Sequence, residues 1–137
     1  MKPFGSIMDF THRRNSEIIS IFRRLVANSN HIVMSDILRV IANSPASRFW
    51  VSESRAAVVI ARMLAGKPLI KMRRNKKEMF TEIYNRFLNL RQSDPDISIL
   101  DGVAIIVNSP APRMFLTPRN IGEIIYHIKK NPHNGKR

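Results

Sequence analysis

A chain of 137 residues, 44% of them hydrophobic, carries enough apolar material for one compact domain or for two half-sized units that share a core, which argues against wholesale disorder. Its 23 Lys and Arg against 10 Asp and Glu give a formal charge of +13, a self-repelling excess that points to a polyanionic partner. The lack of cysteine excludes disulfides and thiolate zinc sites, and no run of about 18 apolar residues exists to cross a membrane.

The opening residues, "MKPFGSIMDFTHRRN", hold no unbroken apolar run, so they do not read as a secretory signal, and a cytoplasmic protein is expected. Residues 1–14 read as an N-terminal arm. Asn15 then offers a cap to a first helix whose apolar residues Ile18, Ile19, Phe22, Leu25 and Val26 recur at three- and four-residue spacing. After "ANSNH", Ser35 and Asp36 begin a shorter helix through Ile37, Leu38 and Ile41, closed at Asn43 and Pro45. Ser52 caps a third helix with Ala56, Val59, Ile60 and Met63 on one face, stopped by Gly66 and Pro68. This first three-helix unit spans residues 15–66.

Residues 67–74 form a basic joint, and a second unit follows over residues 75–131. Asn75 and Glu78 have the spacing of a capping box, and Met79, Phe80, Ile83, Phe87 and Leu90 form the next buried stripe. Beyond the loop "RQSDPD", Ser98 and Asp101 open a helix carrying Val103, Ile106 and Val107. Thr117 and Pro118 start the last helix, since proline at the first helical position gives up only a hydrogen bond that the helix end lacks anyway. Its stripe is Ile121, Ile124, Ile125 and Ile128, Asn131 and Pro132 end it, and residues 132–137 read as a basic tail.

The two units repeat each other. "NSPASRFWVS", from Asn43, returns 65 positions later as "NSPAPRMFLT", from Asn108; Trp50 falls on Phe115, Val51 on Leu116 and Val59 on Ile124. Upstream the alignment continues if the second loop is about four residues longer, which sets Glu17 on Glu78 and Phe22 on Ile83. The expected fold is all-α: two tandem three-helix units sharing one compact domain.

In each unit a short helix, a connection and a longer capped helix follow in order, over about 30 residues. This order resembles the helix-turn-helix of small DNA-binding proteins. The connections Ser44 to Val51 and Ser109 to Leu116 are longer than that family's turn. The resemblance implies that the third helices face the bases, through Ser54, Arg55, Val58 and Arg62 in one unit and Arg119, Asn120, Glu123 and His127 in the other. Arg pairs with guanine and Asn with adenine through two hydrogen bonds each. The phrase "RMFLTP" is also similar to one in small uncharacterised bacterial proteins.

Arg48 and Arg113 recur ahead of Phe49-Trp50 and Met114-Phe115. Their planar forks suit phosphate, and they equally suit the free carbonyls of a preceding helix end. Phe49 and Trp50 are candidates for stacking on unpaired bases, or for core and interface roles. The strongest electrostatic candidate is the joint "KPLIKMRRNKK", with six basic residues and no acid, including Lys71, Arg73, Arg74, Lys76 and Lys77. The chain has no glycine-rich phosphate loop, no nucleophile elbow and no His or acid pair at metal-ligand spacing, so neither catalysis nor a cofactor is expected. DNA is the expected partner, RNA or a protein the alternatives, and the expected role is a regulator or mobile-element accessory factor, against a phage or mobile-element structural protein.

Overall fold

A computed structural model of the protein describes the backbone of residues 5–130 and the side chains of residues 10–130. Those residues form six helices and no strand: α1 Gly5–Ala27, α2 Met34–Ala42, α3 Glu53–Leu64, α4 Arg74–Ser93, α5 Ile99–Val107 and α6 Pro118–Lys130. The fold is all-α, as the helical periodicity predicts. The terminal tail, with the stop at Asn131 and Pro132, lies outside the described residues.

Most helix ends are made by the residues that the sequence nominates. Ser52 and Ser98 accept hydrogen bonds from the amides of Arg55 at 3.1 Å and Asp101 at 3.0 Å, and Thr117 Oγ1 accepts from the amide of Asn120 at 3.0 Å. The α3 end closes as a Schellman motif: Lys67 N donates to Arg62 O and Gly66 N to Met63 O, both at 3.0 Å, with Gly66 at φ +79°. That left-handed φ costs glycine nothing, and it turns the chain into the basic joint.

Three helix starts differ from expectation. Asn15 lies inside α1, where its Oδ1 accepts from Arg14 Nε at 3.1 Å, because the face of Ile18 continues upstream through Arg14 and Phe10 at four-residue steps. The arm therefore becomes helix from Gly5 onward. Asn75 lies in the first turn of α4, whose N-cap is Arg73 with no side-chain bond, so no capping box forms. α2 starts one residue early, at Met34, behind an uncapped Val33.

The helices assort across the sequence repeat. One compact unit comprises residues 1–46 and 112–137; the other runs from Ser47 to Ala111 without interruption. In the split unit α2 packs on α6 and α1 packs on both; in the continuous unit α3 packs on α5 and α4 packs on both. Each unit thus holds a long and a short helix from one half of the sequence and the third helix of the other half. Where the sequence groups α1 with α2 and α3, the packing exchanges α3 for α6. The boundary falls after Ala46 and after Ala111, inside each copy of the repeated phrase.

Two hydrogen bonds record the exchange. Met114 N donates to Ala42 O at 3.3 Å within the split unit, and Phe49 N donates to Val107 O at 3.0 Å within the continuous one. Both partners of the first bond are the partners of the second, exchanged between halves at the 65-residue offset. The eight-residue connection thus has a cause, since it carries the chain from one unit to the other instead of folding α2 back on α3.

The core of the split unit is Ile18, Ile19 and Phe22 on α1, Ile37 and Ile41 on α2, Met114, and Ile121, Ile125 and Ile128 on α6. That of the continuous unit is Phe49, Val59, Ile60, Met79, Phe80, Ile83, Phe87, Val103, Ile106 and Val107. Burying each such side chain contributes about 1.5–3 kcal/mol. α5 comes close to α4 because Gly102 has no side chain: a Cβ there would lie 2.6 Å from Phe87 Cε1.

Candidate nucleic-acid interface

The basic joint leaves α3 through Gly66 and enters α4 at Arg74. Lys67, Lys71, Arg73, Arg74, Lys76 and Lys77 are all exposed, while Leu69 and Met72 between them are partly covered. Only Arg74 of these six is ion-paired among the described residues, to Glu78 at 3.0 Å, and its side chain remains 91% exposed. Lys71 holds φ +59°, a left-handed conformation that costs a side-chain-bearing residue about 1–2 kcal/mol.

The first turn of α4 contains no acid, and its N-cap has no side-chain hydrogen bond. A helix N-terminus carries the positive end of the peptide dipole, and acids are the side chains that stabilise it. Here Arg73, Arg74, Lys76 and Lys77 stand instead, so the charge of the side chains adds to that of the helix end.

The joint and α3 belong to the continuous unit, which has eleven Lys and Arg against six Asp and Glu. Arg55 and Arg62 are both exposed on α3, two turns apart. Arg119 and Asn120 belong to the split unit, exposed in the first turn of α6. Arg119 lies 3.6 Å from Glu123, a loose pair with an 88% exposed arginine. Such exposed pairs are weak, and a stronger acceptor can displace the acid.

Arg48 has a different place from the one the phosphate reading gives it. It is 7% exposed, and its Nε donates to Phe49 O at 2.8 Å, its Nη2 to Val51 O and its Nη1 to Asn108 Oδ1 at 3.3 Å. All three nitrogens face protein acceptors, so Arg48 is a clamp on the connection and leaves the phosphate set. Its acceptors are the connection's own carbonyls and the C-cap side chain of α5. Arg113, its repeat, is partly buried with its guanidinium 5.2 Å from the Phe115 ring centroid. Phe49 is fully buried and Trp50 9% exposed, which removes both from stacking on bases.

Asn108 completes the Arg48 clamp. Its Nδ2 donates to Glu53 Oε2 and to Ala104 O, both at 2.8 Å, so one amide ties the end of α5 to the start of α3. The sequence signal for this role is the recurrence of Asn43 at Asn108, 65 positions on. Arg86, which no sequence motif marks, pairs with Glu82 at 2.8 Å, donates to Pro110 O at 2.9 Å and lies 5.1 Å from the Phe49 ring centroid. Burial lowers the pKa of the Arg14 guanidinium, which stays cationic at neutral pH.

Among the described residues no three His, Asp or Glu side chains gather as metal ligands, and no helix is long and apolar enough to cross a membrane. Comparisons with protein families, curated proteins and solved structures return no match.

Proposed function

We propose that the chain is a non-catalytic duplex-DNA-binding protein, a regulator or mobile-element accessory factor, that holds phosphates through the basic joint. One observation carries the reading. Six exposed cations lie within residues 67–77, one of them ion-paired, at the positive end of a helix with no acid in its first turn. This concentration of one sign is unfavourable for the isolated protein and favourable beside a polyanion, where each neutralised phosphate releases a counterion.

In this reading the fold descends from a tandem duplication of a helix-turn-helix-like three-helix unit whose third helices have been exchanged. Arg55 and Arg62 on α3, and Arg119 and Asn120 on α6, supply the base-facing and flanking contacts, and Arg113 is held in reserve for phosphate. Exposure of the first four supports the assignment.

Duplex binding against salt concentration is the test. Lys71, Arg73, Arg74, Lys76 and Lys77 changed together to Gln should weaken binding and reduce the log-log salt slope by up to about four. An unchanged slope removes the joint from the interface. A protein-docking role is the second reading, favoured by the consecutive exposed apolar residues Ile32, Val33 and Met34. It takes over if the wild type ignores duplex DNA at low salt.

A further inference from the structure

The split unit has an open apolar cleft of about 320 Å³, lined by Ile19, Phe22, Arg23, Val26 and Ala27 of α1 and by Lys129 of α6. The α1 residues follow three- and four-residue steps over the nine positions from Ile19 to Ala27, so the floor is a stripe about 12 Å long. Phe22 and Ile19 form its apolar base, and the two cations stand at its edge, with Lys129 Nζ 5.1 Å from the Phe22 ring centroid. Neither Arg23 nor Lys129 is ion-paired among the described residues, and both are exposed.

The internal repeat supplies a residue-by-residue comparison for this surface. By the same alignment, Phe80, Tyr84, Phe87, Leu88 and Leu64 stand in the continuous unit where Ile19, Arg23, Val26, Ala27 and Lys129 stand in the split unit. Two exchanges run the other way or sideways. Ile83 replaces the larger Phe22, and the Phe87 ring is received by Gly102, where the split unit has Ile37. At the two rim positions the difference is one of kind, since Tyr84 and Leu64 are replaced by Arg23 and Lys129. Relative to the continuous unit, the split unit has smaller apolar side chains at Ile19, Val26 and Ala27 and positive charge at Arg23 and Lys129.

We propose that this cleft is a docking groove for an acidic amphipathic helix of a partner protein. A large apolar side chain of that helix seats between Phe22 and Val26, and flanking carboxylates meet Arg23 and Lys129. A two-turn apolar stripe is the usual footprint of helix-in-groove recognition, and the cations select an acidic partner over a basic one. The segment "NPHNGKR" that follows α6 is basic and nearly free of apolar residues, so its composition does not suit this groove.

The test uses the full chain and a fluorescent 14-residue peptide of Leu, Phe, Glu and Ala with its apolar residues on one helical face, beside the same peptide with Lys for Glu. The acidic peptide binds and the basic one does not. Arg23→Glu with Lys129→Glu weakens the acidic peptide by about tenfold or more and admits the basic one. Ala27→Leu with Lys129→Leu, which installs the residues of the continuous unit, abolishes binding, while circular dichroism and the thermal midpoint keep their wild-type form. Arg23→Gln with Lys129→Gln removes charge alone and gives an intermediate loss. The proposal is overturned if the acidic peptide fails to bind the wild type, or binds the filled and charge-reversed variants as well as it binds wild type. It is equally overturned if the filled variant loses duplex DNA instead of peptide, since the cleft would then belong to the nucleic-acid surface.

Discussion

Met114 donates its amide hydrogen to the carbonyl of Ala42 at 3.3 Å, across 72 positions of sequence. The bond from Phe49 to Val107 is its image at the 65-residue offset, with donor and acceptor now drawn from opposite halves. The pair identifies which helices belong together. An α2 that packs on α6 and an α5 that packs on α3 follow from the same two connections.

The Arg48 clamp sets this arginine apart from the exposed arginines of the proposed interface. Arg48→Ala leaves the carbonyls of Phe49 and Val51 and the Asn108 side chain without their charged donor, at a cost of about 2–4 kcal/mol. Urea unfolding measures the loss. Under the proposed DNA-binding function, the salt slope measured on the folded variant stays at its wild-type value, whereas a slope that falls by about one would return Arg48 to the phosphate set.

Lys71 combines a charge with a left-handed backbone, and two substitutions divide them. Lys71→Gly removes the conformational cost and raises stability by about 1 kcal/mol, whereas Lys71→Gln leaves stability within about 0.5 kcal/mol of wild type. Under the proposed DNA-binding function, both variants lower the salt slope of duplex binding equally. A glycine variant less stable than the glutamine variant would show that the backbone at this position is not under strain.

Gly102→Ala tests the approach of α5 to α4. With Phe87 Cε1 2.6 Å and Cδ1 2.9 Å from the new Cβ, the ring must rotate or the helices must part, and the expected destabilisation is about 1–3 kcal/mol. Pairing the change with Phe87→Leu recovers much of it, because the smaller side chain yields the space. Additive losses in that double variant would place the strain elsewhere.

α2 is the short helix with an uncapped start. Val33 holds extended dihedrals, φ −112° and ψ 107°, is exposed, and makes no side-chain bond to the helix. Val33→Asp supplies an acceptor at the N-cap and an acid at the positive helix end, and it raises stability by about 0.5–1 kcal/mol in thermal unfolding.

Local signals in the sequence located the elements well where a single residue type decides. Ser52, Ser98, Thr117 with Pro118, and Gly66 each act alone on a few backbone groups, and each stands where the sequence puts it. Asn15 failed because a capping residue competes with an apolar face that continues past it, whereas α4 starts just one residue ahead of Asn75, behind an uncapped Arg73. The exchange of α3 and α6 was hidden for a related reason: the two helices carry similar stripes, so either one satisfies either partner pair by pattern alone. The length of the connection was the legible trace. For the candidate site, exposure of the joint could be read from composition, but burial of Arg48 could not, because its acceptors include the Asn108 side chain, 60 positions away.

The division of the chain into one continuous and one split unit also sets an order of events during synthesis. Residues 47–111 can complete their own three-helix core as soon as they have left the ribosome, since α3, α4 and α5 need no later segment to pack on one another. α1 and α2 emerge first yet must wait for α6, with their apolar faces uncovered while more than half of the chain is translated. The segment that carries α1 and α2 is therefore made before the continuous unit and closes after it, and the interval before α6 arrives is when a chaperone or a neighbouring nascent chain meets Ile18, Phe22 and Ile41.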